Sequence, residues 1–132
     1  MSIAESNSSK TVLYPKKTIE RAKVALVCSP FQRHLFETMC YQSVSTSAIA
    51  DTGGTQKGYT KRPLSELAVE NALMWLIQVG VLRREVDGQG ITDSFRLTPL
   101  GRQLIEQIQE PWNPTYRDRL FNMLNRRLRL PF

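Results

Sequence analysis

The stretch from Pro63 to Gln109 constrains the fold most, because its hydrophobic pattern changes period several times within a short length. Apolar residues first recur at the three- and four-residue spacing of a helix and then alternate as they do in strands. The predicted elements are, in order, a helix over 64–79, a stop at Gly80, a strand over 81–86, a tight turn over 87–90, a strand over 91–97 and a helix that begins at Thr98-Pro99. This order predicts an α+β fold that is mainly helical.

Helical patterns also flank this stretch on both sides. The flanking predictions are helices that begin at Pro15 and at Ser29-Pro30, a short helix over 45–51 ended by Gly53-Gly54, a basic loop over 55–62, and an amphipathic tail helix over 116–130. We therefore expect a flexible leader over 1–14, one domain over 15–110 and a basic C-terminal helix over 111–132.

Composition narrows the class of protein. A chain of 132 residues with 41% hydrophobic and 23% charged residues suits one globular domain. No apolar run approaches the roughly 20 residues that span a bilayer, and the first ten residues lack the hydrophobic stretch of a secretory signal. With only Cys28 and Cys40, reduced thiols are expected rather than a disulfide framework. We expect a cytoplasmic protein without a membrane partner.

The net charge of +6 favours a polyanionic partner, and its distribution matters more than its total. Residues 10–62 carry nine basic and three acidic side chains, whereas residues 63–110 carry four arginines against seven acids. Residues 111–132 carry five arginines against Asp118. The basic charge therefore flanks the helix–hairpin–helix stretch along the chain.

Two runs carry a resemblance to a known family: ALMWLIQVGVL over 72–82 and FRLTPLGRQL over 95–104. In the first, a helix runs through glycine into a strand; in the second, a strand ends at a threonine that caps the closing helix. From Ser45 to Gln109 the chain resembles the winged helix-turn-helix superfamily of small bacterial DNA-binding regulators. The resemblance implies a winged-helix domain with an N-terminal helical extension and a C-terminal helix.

By this resemblance the helix over 64–79 occupies the recognition-helix position, which normally enters the major groove of DNA. We expect a DNA-binding transcription regulator that acts mainly through phosphate contacts. The helix nevertheless has no Lys or Arg, and it carries Glu66 and Glu70, which phosphates repel. The alternative is a winged-helix module that binds a protein partner through this acidic helix and does not bind DNA specifically.

Candidate contacts to double-stranded DNA lie in the basic loop, on the helix and on the hairpin. They are Lys57, Tyr59, Lys61, Arg62, Asn71, Arg83, Arg84 and Arg96. Two alternatives remain open for them. The loop residues suit a solvated loop equally well, and the hairpin arginines suit cross-strand pairing with Glu85, Asp87 or Asp93.

The tail predicts an interface. Its apolar residues follow a helical stripe surrounded by arginines, and they are Tyr116, Leu120, Phe121, Leu124 and Leu128. The stripe suits a homodimer contact or a helix that folds back on its own domain, both favoured over a phosphate-binding arm.

The sequence offers no site for chemistry. The spacing of Cys28, His34 and Cys40 matches no common zinc pattern, and no motif places a base beside a nucleophile. We expect no metal, no cofactor and no enzymatic activity.

Overall fold

The computed structural model describes residues 14–108, 112 and 115–128. Its elements are α1 (Lys16–Cys28), α2 (Arg33–Met39), β1 (Val44–Ser45), α3 (Thr46–Ile49), α4 (Asp51–Gln56), α5 (Glu66–Gln78), β2 (Leu82–Asp87), β3 (Gly90–Leu97), α6 (Pro99–Gln107) and α7 (Tyr116–Leu128). The class is α+β and mainly helical, as predicted. Of the predicted leader, only Tyr14 lies within the described residues, and it packs against the core.

The sheet is antiparallel and has three strands in the order β1-β3-β2. The hairpin of β2 and β3 confirms the prediction, and its register places Leu82 opposite Leu97 and Arg84 opposite Phe95. Strand β1 has only two residues, and Val44 lies opposite Phe95. This strand was not predicted, because two residues are too few to show an alternating pattern.

The hydrophobic core lies where α1, α2, α5 and α6 meet the sheet. Phe36 and Phe95 are its largest fully buried side chains. Helix α1 adds Ala22 and Leu26, which are also fully buried. The predicted stripe of the closing helix is confirmed, since its members Leu100, Leu104, Ile105 and Ile108 are all buried. Burial of a side chain of this kind stabilises the fold by about 1.5–3 kcal/mol.

Hydroxyl side chains cap three helices. Ser45 accepts a hydrogen bond from Ala48 N–H, Ser65 from Ala68 N–H, and Thr98 from Gly101 N–H. Each such cap contributes about 1 kcal/mol by satisfying a free amide. The Thr98 cap was predicted. For α5 the boundary is corrected, because the Ser65 cap, rather than Pro63, sets its start.

The predicted start of a helix at Ser29-Pro30 is wrong. Phe31 pairs with Thr60 in an isolated antiparallel bridge. Gln32 N–H then donates to the Tyr59 carbonyl oxygen at 2.8 Å. These long-range contacts hold the backbone extended, so α2 begins only at Arg33.

The prediction that Gly53-Gly54 ends a helix is also wrong. Both glycines lie within α4, and a Cβ at Gly54 would overlap the Ile49 carbonyl oxygen. The helix ends instead through Gly58, whose φ is 79°. Tyr59 N–H bonds the Gly54 carbonyl oxygen at 2.8 Å, which is the hydrogen bond of a Schellman motif.

Helix α7 folds back on its own chain, where it packs against α1. It also bonds α5: the Trp75 indole Nε1–H donates to Asn122 Oδ1 at 2.9 Å, and the Arg126 guanidinium donates to the Asn71 carbonyl oxygen at 3.1 Å. Thr115 and Asp118 form a reciprocal capping box at its start. None of the helices within the described residues combines the length and apolar character needed to cross a bilayer.

Candidate interaction surfaces

Helix α5 is fixed in the fold by its apolar side. Val69, Leu73 and Leu76 are each at most 1% exposed. The Ser65 cap at one end and Gly80, with φ 90°, at the other define where the helix begins and stops. Its orientation is therefore set by packing, and the opposite side points out of the core.

That outward side combines exposed apolar groups with carboxylates. Leu67 is 68% exposed and Met74 is 38% exposed, although both are hydrophobic. Residues seven apart lie on the same side of a helix. Glu66 and Glu70 are exposed beside them, and neither forms an ion pair with a residue in the described ranges. We call Glu66, Leu67, Glu70 and Met74 the acidic face of α5.

The predicted hairpin arginines do not form one patch. Arg83 and Arg96 lie opposite each other on one face of the hairpin, and both approach Glu85, at 3.4 and 3.5 Å. Arg96 also donates to the Tyr41 carbonyl oxygen at 3.1 Å. Arg96 thus makes the cross-strand pair with Glu85 that was one of the alternatives above, whereas Arg83 pairs with Glu85 within β2.

Arg84 follows Arg83 and therefore projects from the opposite face of the strand. Its guanidinium lies 5.0 Å from the centre of the Phe95 ring, in a cation–π arrangement. It also donates to the Thr92 carbonyl oxygen and to Met74 Sδ, each at 3.2 Å. Arg84 covers the end of the core and is half-buried.

The predicted contact residues of the loop that precedes α5 also differ in exposure. Lys57, Lys61 and Arg62 are exposed. Tyr59, in contrast, is only 8% exposed, and its ring stacks on His34 with 5.8 Å between the ring centres. Tyr59 therefore packs on a side chain of α2 and does not face solvent. Of the four loop residues predicted to contact DNA, only the three cations are exposed.

Asn71, the predicted base reader on α5, lies beside α7. Its side chain is exposed and its carbonyl oxygen accepts from Arg126. Any partner that approached Asn71 would therefore also meet α7. The sequence did not predict this neighbour, because the two residues are 55 positions apart.

Helix α7 presents a second outward face. Tyr116, Leu120 and Met123 are 82%, 44% and 46% exposed. They recur at four and three residues and share a side with Arg119 and Arg127, which are also exposed. We call these five residues the basic face of α7. Tyr116 and Leu120 belong to the predicted interface, whereas Met123 was missed because it lies off the four-residue spacing.

The inward side of α7 combines apolar side chains with a buried asparagine. Phe121 and Leu124 of the predicted interface are half-buried. Asn125 is 3% exposed, and neither atom of its amide group has a hydrogen-bond partner among the described residues. The side chain of Leu128, the last predicted interface residue, lies outside the described part of the chain.

The surplus positive charge of the chain belongs to the two terminal helices. Helix α1 carries four basic residues and Glu20, and α7 carries four basic residues and Asp118. Residues 29–108 carry eight basic and eight acidic side chains and are neutral. Because α1 and α7 pack together, the positive potential is concentrated there rather than around α5 and the hairpin.

The cysteines have the character of structural thiols. Cys28 and Cys40 are both free and half-buried. Burial, the larger effect, and the nearby Asp118 carboxylate raise the pKa of the Cys28 thiol, and Arg119 opposes them. Burial also raises the pKa of Cys40. Within residues 14–108, 112 and 115–128, no group of His, Cys, Asp or Glu side chains is arranged to hold a metal ion.

The fold and these surfaces define an α+β protein, mainly helical, that presents an acidic and a basic helix face. The chain belongs to the Npun_F0494-like family, whose model matches residues 12–126. The match spans every element from α1 to α6 and most of α7. Neither a curated protein nor a solved structure matches the chain.

Proposed function

We propose that this protein is a winged-helix protein-interaction module whose contact surface is the acidic face of α5. The observation that carries the proposal is the exposure of Leu67 and Met74 beside the carboxylates of Glu66 and Glu70, which form no ion pair with a described residue. Apolar groups on a protein surface gain free energy when a partner removes them from water. Carboxylates at the edge of such a patch select a partner that carries positive charge.

The winged-helix part of this proposal is supported by the order of elements. Helix α2 leads through β1 into α3 and α4, then α5, and the β2–β3 hairpin follows. The sheet order β1-β3-β2 places the first short strand beside the last one. If the fold is a winged helix, α5 has the position of the helix that binds the partner, and the β2–β3 hairpin has the position of the wing.

Charge favours a protein partner over the DNA groove at α5. A helix that enters the major groove is flanked by phosphates, and these repel Glu66 and Glu70. The hairpin arginines are held by Glu85, by carbonyl oxygens and by the Phe95 ring. Freeing them for phosphates would cost these internal contacts.

The partner can be tested by capture with matched charge variants. The double variant Glu66→Lys/Glu70→Lys reverses the acidic face, and Asp93→Lys/Glu106→Lys makes the same change in net charge at two other exposed positions. We expect the immobilised wild-type chain and the control to retain the same partner, and the α5 variant to retain at least about tenfold less. Equal capture by all three proteins would contradict the proposal.

A second function is favoured by the three exposed cations before α5. Lys57, Lys61 and Arg62 precede the helix N-terminus, a position suited to phosphate. Duplex DNA held by such contacts would make the protein a DNA-binding regulator without base readout by α5. This candidate needs no arginine from the hairpin.

Salt titration of duplex binding tests the second function. Three phosphate contacts predict a slope of log affinity against log salt of about −2.7, because each contact contributes about −0.9. Replacing Lys57, Lys61 and Arg62 by alanine should bring the slope close to zero. Absence of binding at about 50 mM salt, where such contacts are strongest, would exclude it.

A further inference from the structure

The acidic face of α5 and the basic face of α7 are complementary in charge. The first carries Glu66 and Glu70, and the second carries Arg119 and Arg127. All four side chains are exposed, and none forms an ion pair with another described residue. Each face therefore carries charge of the sign that the other would neutralise.

The two faces also match in the spacing of their apolar groups. Leu67 and Met74 are seven residues apart, and so are Tyr116 and Met123. Seven helical residues span about 10 Å. Two helices laid against each other can thus bring both apolar pairs into contact, and Leu120 lies between the second pair.

The α7 of the same chain does not supply this contact. Its Asn122 and Arg126 already bond Trp75 and the Asn71 carbonyl oxygen, so another side of α7 faces α5. The basic face points away, as the exposure of Tyr116 shows. A chain that offers its basic face to α5 must therefore be a different molecule.

We propose that a second copy of this chain binds here, with the basic face of its α7 on the acidic face of α5, and that the contact is reciprocal and forms a homodimer. The inference rests on the proposed function, because it names the partner of that surface. Each copy carries both faces, and α7 of each copy is bonded to its own α5. Two copies related by a two-fold axis would therefore make the contact twice. Such an isologous contact closes at two copies.

The exposed apolar groups explain why the partner is a protein helix rather than nucleic acid. Phosphates would engage Arg119 and Arg127 but would leave Tyr116, Leu120 and Met123 in water. The acidic face of a second α5 covers both kinds of group. The positive charge of α7 also disfavours pairing of two α7 helices, because like charges at an interface repel.

Charge-reversed variants of the full chain test the proposal by mixing. The acid-reversed variant is Glu66→Arg/Glu70→Arg, and the base-reversed variant is Arg119→Glu/Arg127→Glu. In the first, both faces are positive, and in the second both are negative. We expect sedimentation velocity to show dimers for the wild type, and each variant alone to dissociate at least about 100-fold more readily.

An equimolar mixture of the two variants should restore a one-to-one dimer. In the mixed pair, the reversed α5 meets a reversed α7 and the two native faces meet each other, so both contacts are attractive. Circular dichroism of each variant serves as the control for folding, and we expect spectra like that of the wild type because the substituted positions are exposed. The control Asp93→Arg/Glu106→Arg, which changes charge elsewhere, should dimerise as the wild type does.

Several outcomes would overturn the inference. A wild type that is monomeric up to about 100 µM, roughly the weak limit of a specific dimer, would do so. So would a mixture that stays monomeric, or one that grows into chains longer than two copies. The wild type could be monomeric and yet capture a partner that the Glu66→Lys/Glu70→Lys variant does not retain. In that case the proposed function stands and only the identity of the partner is wrong. If capture is unchanged as well, both proposals fail.

Discussion

Helices α5 and α7 are alike in length and differ in what they bury. Each has thirteen residues, and each lies against another part of the chain. Helix α5 buries Val69, Leu73 and Leu76, whereas the side chain that α7 buries most completely among its described residues is Asn125. The contrast shows that α5 is held mainly by hydrophobic packing, whereas α7 combines half-buried apolar side chains with hydrogen bonds to α5. Tyr116, Leu120 and Met123 of α7 are correspondingly left at the surface.

The largest expected effect comes from the core side of α5. Leu73→Ala removes a fully buried side chain and should lower the free energy of unfolding by about 2–5 kcal/mol. Leu124→Ala, at a half-buried position of α7, should cost about 1 kcal/mol or less. Urea denaturation of both variants measures the contrast. Equal losses would show that α7 is packed as firmly as α5.

The next prediction concerns Asn125 of α7, whose replacement should raise the free energy of unfolding rather than lower it. A buried amide without a partner costs roughly 1–3 kcal/mol relative to a satisfied or apolar group. Asn125→Leu keeps the branched shape and the number of side-chain heavy atoms but removes the unpartnered amide, and should therefore raise the free energy of unfolding, by about 1 kcal/mol. Thermal and urea denaturation measure it, with the exposed Asn71→Leu as the control. A loss of stability in Asn125→Leu would mean that the amide is satisfied, and the comparison between the helices would weaken.

The smallest effect concerns Cys28, which faces the N-terminal end of α7. Burial raises the pKa of this thiol above its ordinary value, so less thiolate is present at pH 8 than in the unfolded chain. Alkylation at pH 8 should be slower for the native protein than for the protein in urea. The sign for stability follows from the same shift: the contribution is complete below the pKa of the unfolded chain and is lost as pH rises through the folded value. Equal alkylation rates would show that α7 does not shield Cys28.

Local patterns predicted the elements that local forces build. The Thr98 cap, the hairpin and the stripe of α6 each depend on residues within a few positions, and the structure confirms them. Gly54 shows the limit. A glycine pair usually marks a helix end, yet Gly54 is required here because the Ile49 carbonyl oxygen lies where a side chain would be. That contact exists only once α3 and α4 have packed.

In the candidate surfaces, too, some features can be predicted from the sequence and others depend on contacts between distant residues. The presence of Glu66 and Glu70 on α5, and of arginines on the tail, is visible in the sequence. The removal of Tyr59 from the contact set is not, because its burial depends on His34 of another helix. The split of the hairpin arginines into two faces requires the register of β2 against β3 and the position of Glu85.

Spacing and residue type over short distances were enough to predict the hairpin, the Thr98 cap, the stripe of α6 and the net positive charge. Which side of α7 is enclosed, in contrast, depends on the packing of distant parts of the chain. An amphipathic helix can bury the side richest in apolar groups or leave it for another molecule, and the neighbours available to it settle the choice. Here α5 bonds Asn122 and Arg126 and α1 packs against the helix, so Asn125 is buried while Tyr116, Leu120 and Met123 remain outside.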